Sequence, residues 1–137
     1  MILLDTNAFI WLLGGEPSLG PLARGSIEAA RDEGGVGVSA ISMWEISMLV
    51  RKKKLLLGDD TLKSLEAFLT ETAIRVEPLR LAIAVDAERL PGKIQRDPAD
   101  RMIVSTARHL ACPVVTSDRE MLAYADQGHV QAIDARL

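Results

Sequence analysis

Short apolar segments that alternate with helical segments constrain the fold of this chain more than any other feature of its sequence. Each apolar segment is long enough for only a short strand, and turn residues or helix-starting residues follow it. This alternation is typical of a three-layer α/β sandwich, in which helices flank a short parallel β-sheet of four to five strands. The predicted strands are Ile2–Leu4, Val36–Val38, Ile74–Val76, Val114–Thr116 and Val130–Ile133.

The chain, residues 1–137, has the length of a single domain. Hydrophobic residues make up 48% of it and charged residues 26%, a balance typical of a folded globular protein. The longest uninterrupted apolar stretch, Ala8–Leu13, is too short to span a membrane. The lone Cys112 cannot form an internal disulfide, and the first residues do not resemble a secretory signal, so we expect a cytoplasmic protein.

The formal net charge of −3 argues against a protein that binds nucleic acid through bulk electrostatics. The cations are nevertheless unevenly distributed, because Arg51, Lys52, Lys53 and Lys54 form one consecutive run. This run ends a predicted helix, where the helix dipole favours positive charge, and that effect alone accounts for it. The alternative is that the run contacts nucleic-acid phosphates beside an active site.

Four acidic residues occupy positions that a parallel sheet brings to one edge. Asp5 follows the first strand, and Asp118 follows the string "VVTS" at the end of the fourth. Asp100 lies in the first turn of the helix that "DPADR" opens, and Glu45 lies in the first turn of a helix that Ser42 opens. Because ligands bind at the carboxyl ends of the strands in open α/β sheets, these acids are candidates for one shared site.

Helix capping offers a different explanation for these residues. Ser42 and Glu45 have the spacing of a capping box, Asp97 and Asp118 suit N-cap positions, and Thr6 can cap the first helix. Two observations favour a shared site. Glu45 lies on an otherwise apolar helix segment, where a carboxylate is costly unless it is paired. Carboxylates without His or Cys among them are also the ligands that hard cations such as Mg²⁺ or Mn²⁺ prefer.

Four strings, "LLDTN", "SAISMWEI", "RDPADRMIVSTA" and "VVTSD", occur in this order along the whole chain. Together they resemble the motifs of PIN-domain ribonucleases, and among these the VapC-type toxins of bacterial toxin–antitoxin pairs. The second acid of "DPADR" is the one that matches, so Asp97 is interpreted as a cap. Many relatives carry His where this chain has Asn7, and an amide can still hold a phosphate or a water. The acids of the family match Asp5, Glu45, Asp100 and Asp118.

The resemblance implies a PIN-like fold and an endoribonuclease that depends on Mg²⁺, with Mn²⁺ as a substitute. Asp5 and Asp100 would be the main direct ligands, and Asp118 and Glu45 would bind a second ion or hold coordinated waters. It also implies three kinds of partner: an RNA substrate, a cognate VapB-like antitoxin and a second copy of the chain in a homodimer.

Further residues follow from the same resemblance. Thr6, Asn7 and Ser117 are candidates for positioning phosphate or water. Arg101, beside Asp100, either contacts RNA phosphate or balances the charge of the acids. The run Arg51–Lys54 is the other candidate for RNA phosphate contacts.

Two other functions fit parts of the sequence. A phosphatase of the haloacid-dehalogenase type places a nucleophilic Asp after its first strand, but it needs a second acid two residues later, where this chain has Asn7. A catalytically silent PIN fold that only binds a partner is the other alternative, and the presence of all four acids counts against it. Trp11 and Trp44 lie in apolar helical segments, which favours positions in the core or in an interface over base stacking.

Overall fold

The computed structural model describes residues 1–94 and 96–137 and is built around one parallel sheet. Its spatial order is third, second, first, fourth and fifth strand, and every neighbouring pair is parallel. The sheet and its helices confirm the predicted α/β sandwich. The strands are β1 (Ile2–Leu4), β2 (Val36–Ser39), β3 (Arg75–Glu77), β4 (Val114–Thr116) and β5 (Ala132–Asp134).

Helices separate the strands along the chain and cover the sheet. Two of them start with proline in the first turn, where a missing N–H is harmless. None of the helices in the described part of the chain is long and apolar enough to cross a membrane. The helices are α1 (Thr6–Leu13), α2 (Pro21–Asp32), α3 (Ala40–Arg51), α4 (Thr61–Thr72), α5 (Leu81–Glu88), α6 (Pro98–Leu110) and α7 (Arg119–Asp126).

Alternate side chains of β1 pack into different layers, which is why the sheet is buried on both faces. Ile2 and Leu4 belong to a core cluster with Phe9 of α1 and residues of α2, α3 and α4. Leu3, between them, belongs to the cluster that α6 and α7 form on the opposite face. Successive residues of a strand point to opposite faces, so a strand of three apolar residues serves both cores. This explains why all three residues of β1 are apolar.

The order of the strands creates a crevice at the carboxyl end of the sheet. The chain moves outward from β1 through β2 to β3, and it then returns to the other side of β1 for β4 and β5. The direction of the connections therefore reverses between β1 and β4, and in open α/β sheets ligands bind at such a switch point. The residues that follow β1 and β4 are Asp5 and the pair Ser117 and Asp118.

Two helix starts differ from the predictions. The N-cap of α1 is Asp5, whose side chain accepts from the backbone of Ala8, so Thr6 is the first helical residue and not the cap. The cap of α3 is Ser39 and not Ser42, because β2 extends to Ser39 and the helix follows at once. Glu45 therefore lies in the second turn of α3, and the predicted capping box does not form.

The strands β3 and β5 also end later than predicted, at polar residues. The sequence predicts Ile74–Val76 and Val130–Ile133, from their apolar side chains, whereas the paired segments end at Glu77 and Asp134. In the sheet Ser39 pairs with Glu77 and Thr116 with Asp134. Backbone pairing does not depend on side-chain polarity, so the carboxyl ends of the strands extend past the apolar segments.

Candidate active site at the carboxyl end of the sheet

Several helices begin at the carboxyl end of the sheet, and three of them are capped by an aspartate. Helices α1, α3 and α7 follow β1, β2 and β4, while α6 leads back from this end toward the start of β4. The caps of α1, α6 and α7 are Asp5, Asp97 and Asp118, and each carboxylate accepts a backbone N–H of the first turn. Capping and a shared site are therefore compatible explanations, because the same geometry brings the acids together.

Asp5 is the most deeply buried of these acids, with 4% of its surface exposed. Its Oδ1 accepts the N–H of Ala8 at 2.8 Å, and its Oδ2 accepts the hydroxyl of Thr116 at 2.5 Å. Burial raises the pKa of Asp5 to about 6; the two hydrogen bonds oppose this rise, and the charges of Asp118 and Glu45 add to it. The ionised carboxylate is thus held in a place that disfavours its charge.

Asp100 has the clearest sign of a cluster, because four other acids act on it. Burial raises the pKa of Asp100 to about 7, and the charge of Asp97 is the next largest cause. Asp118, Glu45 and Asp5 raise the same pKa further. Carboxylates shift one another in this way only when they are near neighbours in a partly desolvated space. The four acids that the sequence singled out, together with Asp97, therefore face one region.

Glu45 reaches this region from the second turn of α3 and is held there by hydroxyl groups. The hydroxyl of Thr6 donates to its Oε1 at 2.5 Å. The Oγ atom of Ser42 lies 2.8 Å from the Thr6 hydroxyl oxygen, so it donates to Thr6 while Thr6 donates to the acid. Burial raises the pKa of Glu45, the Thr6 hydrogen bond lowers it, and the charge of Asp97 raises it.

Asp97 and Asp118 lie at the more exposed side of the cluster. Asp118 Oδ1 accepts the N–H of Met121 at 3.0 Å, and the N–H of Asp118 donates to the hydroxyl oxygen of Thr116. Asp97 Oδ1 accepts the N–H of Ala99 at 2.9 Å. Asp97 is thus the predicted cap of α6, and its charge acts on both Glu45 and Asp100.

Two positioning residues were missed by sequence reasoning. Thr116 links Asp5 to Asp118 through one hydroxyl group, and Ser42 supports Thr6 and through it Glu45. Both side chains are completely buried. The sequence contains a pattern from which each could have been predicted. Thr116 is a hydroxyl residue that ends an apolar strand shortly before Asp118, and Ser42 lies one helical turn before Glu45.

The remaining candidates lie at different distances from the acids. Asn7 is exposed in the first turn of α1, and Ser117 is half-buried between Thr116 and Asp118, so both border the cluster. Arg101 donates to the backbone oxygens of Ala87 and Glu88, so its guanidinium holds the end of α5 against α6.

The run Arg51–Lys54 is exposed at the end of α3 that is farther from the cluster. Six residues of helix separate Arg51 from Glu45, which is about 9 Å along the axis. A phosphate held by this run would thus belong to a nucleotide outside the acid cluster.

The carboxylate oxygens of the acid cluster suit a hard cation. Within residues 1–94 and 96–137, no group of three or more acidic, His or Cys side chains forms a ready metal site. Burial raises the pKa values of Asp5 and Asp100, the charges of neighbouring acids raise them further, and a bound cation would relieve both effects. The oxygen ligands fit Mg²⁺, which retains several waters and uses few direct carboxylate ligands.

Two comparisons of the sequence with known proteins agree on one family. Residues 2–127 match the family model of the PIN domain. The ribonuclease VapC22 of Mycobacterium tuberculosis (strain ATCC 25618 / H37Rv) is 30% identical over 123 residues, which cover 90% of this chain and 91% of that protein. These matches confirm the resemblance that the four sequence strings predict.

Solved structures show the same fold. VapBC2 from Rickettsia felis, bound to a DNA fragment from its promoter, matches with a TM-score of 0.69 and 16% identity over 97% of this chain and 98% of that one. FitAcB from Neisseria gonorrhoeae matches with a TM-score of 0.66 and 24% identity over 98% of both chains.

Proposed function

Because the chain belongs to the PIN-domain family and is related to a VapC ribonuclease, we propose that it is an endoribonuclease and the toxin of a toxin–antitoxin pair. It would hydrolyse phosphodiester bonds of RNA. The observation that carries this proposal is the convergence of acids at the switch point of the sheet: burial raises the pKa of Asp100 to about 7, and the charges of Asp97, Asp118, Glu45 and Asp5 raise it further. Such a concentration of carboxylates repels a phosphodiester unless a cation intervenes, so the proposal includes Mg²⁺, with Mn²⁺ as a substitute.

The four acids divide by their burial and their hydrogen bonds. Asp5 and Asp100 would be the main ligands, since their pKa values are the most raised and a cation relieves them most. Glu45 and Asp118 would hold a second ion or coordinated waters from the sides of the cluster. The bound metal would supply charge neutralisation at the phosphodiester and a water of lowered pKa.

The rest of the machinery would orient these acids and the substrate. Thr116 and Thr6 fix one oxygen each of Asp5 and Glu45, which leaves the carboxylates little rotational freedom. Asn7 and Ser117, at the starts of α1 and α7, would position phosphate or water. The N-terminal ends of these helices carry positive dipole ends that favour a bound phosphate.

A cleavage assay on a labelled single-stranded RNA tests this function. Asp5→Asn and Asp100→Asn should each reduce cleavage by at least about 100-fold, since even outer-shell partners of metal ligands typically cost 10–100-fold. EDTA should abolish cleavage by the wild type, and added Mg²⁺ or Mn²⁺ should restore it. The matched control is Asp32→Asn, an exposed acid at the end of α2, which should cleave normally.

Three outcomes would contradict the proposal. Cleavage that persists in EDTA would exclude the metal, and a folded wild type that never cleaves RNA with Mg²⁺ would favour the silent binding module. A covalent phosphoryl group on Asp5 after incubation with a phosphate ester would instead favour the phosphatase.

The partners are part of the same proposal. Several solved structures with this fold are toxin–antitoxin complexes, so we propose a VapB-like antitoxin for this chain as well. Co-expression of a small neighbouring gene should relieve the growth arrest that the chain causes alone. We also propose a homodimer, since large apolar side chains such as Leu62, Leu81 and Val85 are exposed on α4 and α5. Light scattering of the purified chain should give twice its 14.9 kDa mass.

A further inference from the structure

An apolar cavity of about 540 Å³ adjoins the acid cluster between α3 and α6. Its volume lies in the range of about 300–1,000 Å³ that is usual for small-molecule sites. Glu45 and Asp97 form the wall that the cavity shares with the cluster. Most of the remaining lining is apolar and comes from Ile41, Trp44, Met48 and Met102. The cavity is therefore an extension of the candidate active site and not a separate pocket.

Trp44 is the unusual member of this lining. Its exposed fraction is 58%, although the apolar segment around it favours a position in the core or in an interface. Ile41 and Met48 lie one helical turn before and after it on α3, so the three side chains form one apolar stripe. The next residue in the chain is Glu45. A large exposed indole so close to the acids requires an explanation beyond folding.

We propose that Trp44 is a specificity-determining residue on which an unpaired base of the RNA stacks while the neighbouring phosphodiester lies at the acids. This inference rests on the proposed ribonuclease function. Single-stranded RNA is read mainly by stacking of its bases on aromatic side chains, and every base offers a flat face for this. A base is joined to its phosphate through a single sugar, which matches a cavity that shares a wall with the acid cluster.

The charges of the lining favour a base over a phosphate. Both charged side chains that the structure places in the cavity wall, Glu45 and Asp97, are acids. They would repel a phosphate group, whereas a neutral base can enter and can donate its amino hydrogens to a carboxylate. The two methionines add polarizable surface that adapts to bases of different shape.

Kinetics on a short single-stranded RNA of mixed sequence test the inference. Trp44→Ala should raise KM by about 5- to 150-fold, the range that corresponds to loss of one base–aromatic stack, with a smaller change in kcat. Trp44→Phe should recover most of the loss, because it retains a flat aromatic face. The matched control is Leu22→Ala on α2, which removes a side chain of similar exposure away from the cavity.

An abasic substitution locates the stacked base. Removing a single base beside the cleaved bond should raise KM for the wild type and should have little further effect in Trp44→Ala, since each change removes the same contact. A binding assay avoids cleavage: in the variant Trp11→Phe/Asp100→Asn, Trp44 is the only tryptophan, and the RNA should quench its fluorescence more than the abasic RNA does.

The outcomes separate this inference from the proposed function. If the wild type cleaves RNA and Trp44→Ala keeps the same KM, or if the two losses simply add, base stacking is wrong. If Trp44→Ala leaves RNA cleavage unchanged but abolishes inhibition by a protein partner, the cavity binds that partner instead. A wild type that does not cleave RNA contradicts the proposed function, and equal quenching by intact and abasic RNA would then also exclude stacking.

Discussion

The two ends of the parallel sheet use the same kinds of charged residue in opposite ways. At the carboxyl end, Asp5 and Asp100 are partly or fully buried among other acids, and their pKa values rise to about 6 and about 7. Near the other end, Asp86 of α5 is half-buried between Arg89 and His109. A hydrogen bond from Arg89 and one from His109 lower the pKa of Asp86.

Helix direction accounts for part of this contrast. Helices that start at the carboxyl end of the sheet place acidic caps there, and their C-terminal ends place basic residues such as Arg108, His109 and Arg51 at the other end. Both arrangements complement the helix dipoles. An acid at a helix start is thus weak evidence for a functional site. The stronger evidence is that burial, with the charges of neighbouring acids added to it, raises the pKa values of Asp5 and Asp100, whereas hydrogen bonds from Arg89 and His109 lower the pKa of Asp86.

The largest effect on stability is expected when the charge of Asp5 is removed in the absence of metal. Asn keeps the cap of α1, since it caps helices as well as Asp does. The raised pKa of Asp5 implies that Asp5→Asn increases the free energy of unfolding in EDTA by roughly 2–3 kcal/mol near pH 7.5. Mg²⁺ at 100 times its Kd should stabilise the wild type by about 2.7 kcal/mol and barely change the variant. Thermal melts in EDTA and in Mg²⁺ measure both. A lower melting temperature for Asp5→Asn in EDTA would disprove the strained cluster.

A second effect is the pH dependence of stability in EDTA. The folded-state pKa values of Asp5 and Asp100 exceed the unfolded value of 3.8, so the folded state binds more protons between these values. Stability should therefore fall as the pH rises from about 4 to about 7. Asp5→Asn should flatten the curve up to about pH 6, and Asp100→Asn should flatten it up to about pH 7. Melting temperatures across this range test the sign, and a wild-type curve that rises with pH would contradict it.

Removing the lysines of the basic run at the C-terminal end of α3 should have a smaller effect, and that effect concerns RNA binding. If Lys52, Lys53 and Lys54 contact phosphates, changing all three to Gln should lower the slope of log affinity against log salt by roughly 0.7 per lost contact. Filter binding at several salt concentrations measures this slope. An unchanged slope would mean that the run only complements the dipole of α3.

The sequence predicted the fold well because the fold depends on apolar patterning and on end signals. The strands β1 and β4 occur within the predicted bounds, and the α/β sandwich is confirmed. Sequence alone allows Ser39 or Ser42 to start α3, since both are equally good caps and only the pairing of β2 decides for Ser39; the capping box of Ser42 and Glu45 was therefore wrong.

The site was predictable in its acids but not in its supporting contacts. Asp5, Glu45, Asp100 and Asp118 follow strand ends, helix starts or a family motif, so they can be named from the sequence. The hydrogen bond from Thr116 to Asp5 joins residues 111 positions apart, and the one from Thr6 to Glu45 crosses between two helices. No local pattern specifies such contacts. The sequence left Trp44 in the core or in an interface, and its exposure excludes the core position, which depends on how α3 and α6 pack.

The smallest effect on stability is expected from Asp86→Asn. This change should lower the melting temperature, whereas Asp5→Asn should raise it. The pKa of Asp86 is lowered in the folded state, so its contribution to stability is present above the unfolded value of 3.8 and is lost as the pH falls below it. Asp86→Asn should slightly lower the melting temperature at neutral pH, because an exposed ion pair contributes little. This window does not overlap the one for Asp5 and Asp100, so a single set of melts from pH 2 to pH 8 separates the two ends. If Asp86→Asn raised the melting temperature as Asp5→Asn should, the gain would come from the overall negative charge of the protein, and the contrast between the two ends of the sheet would not hold.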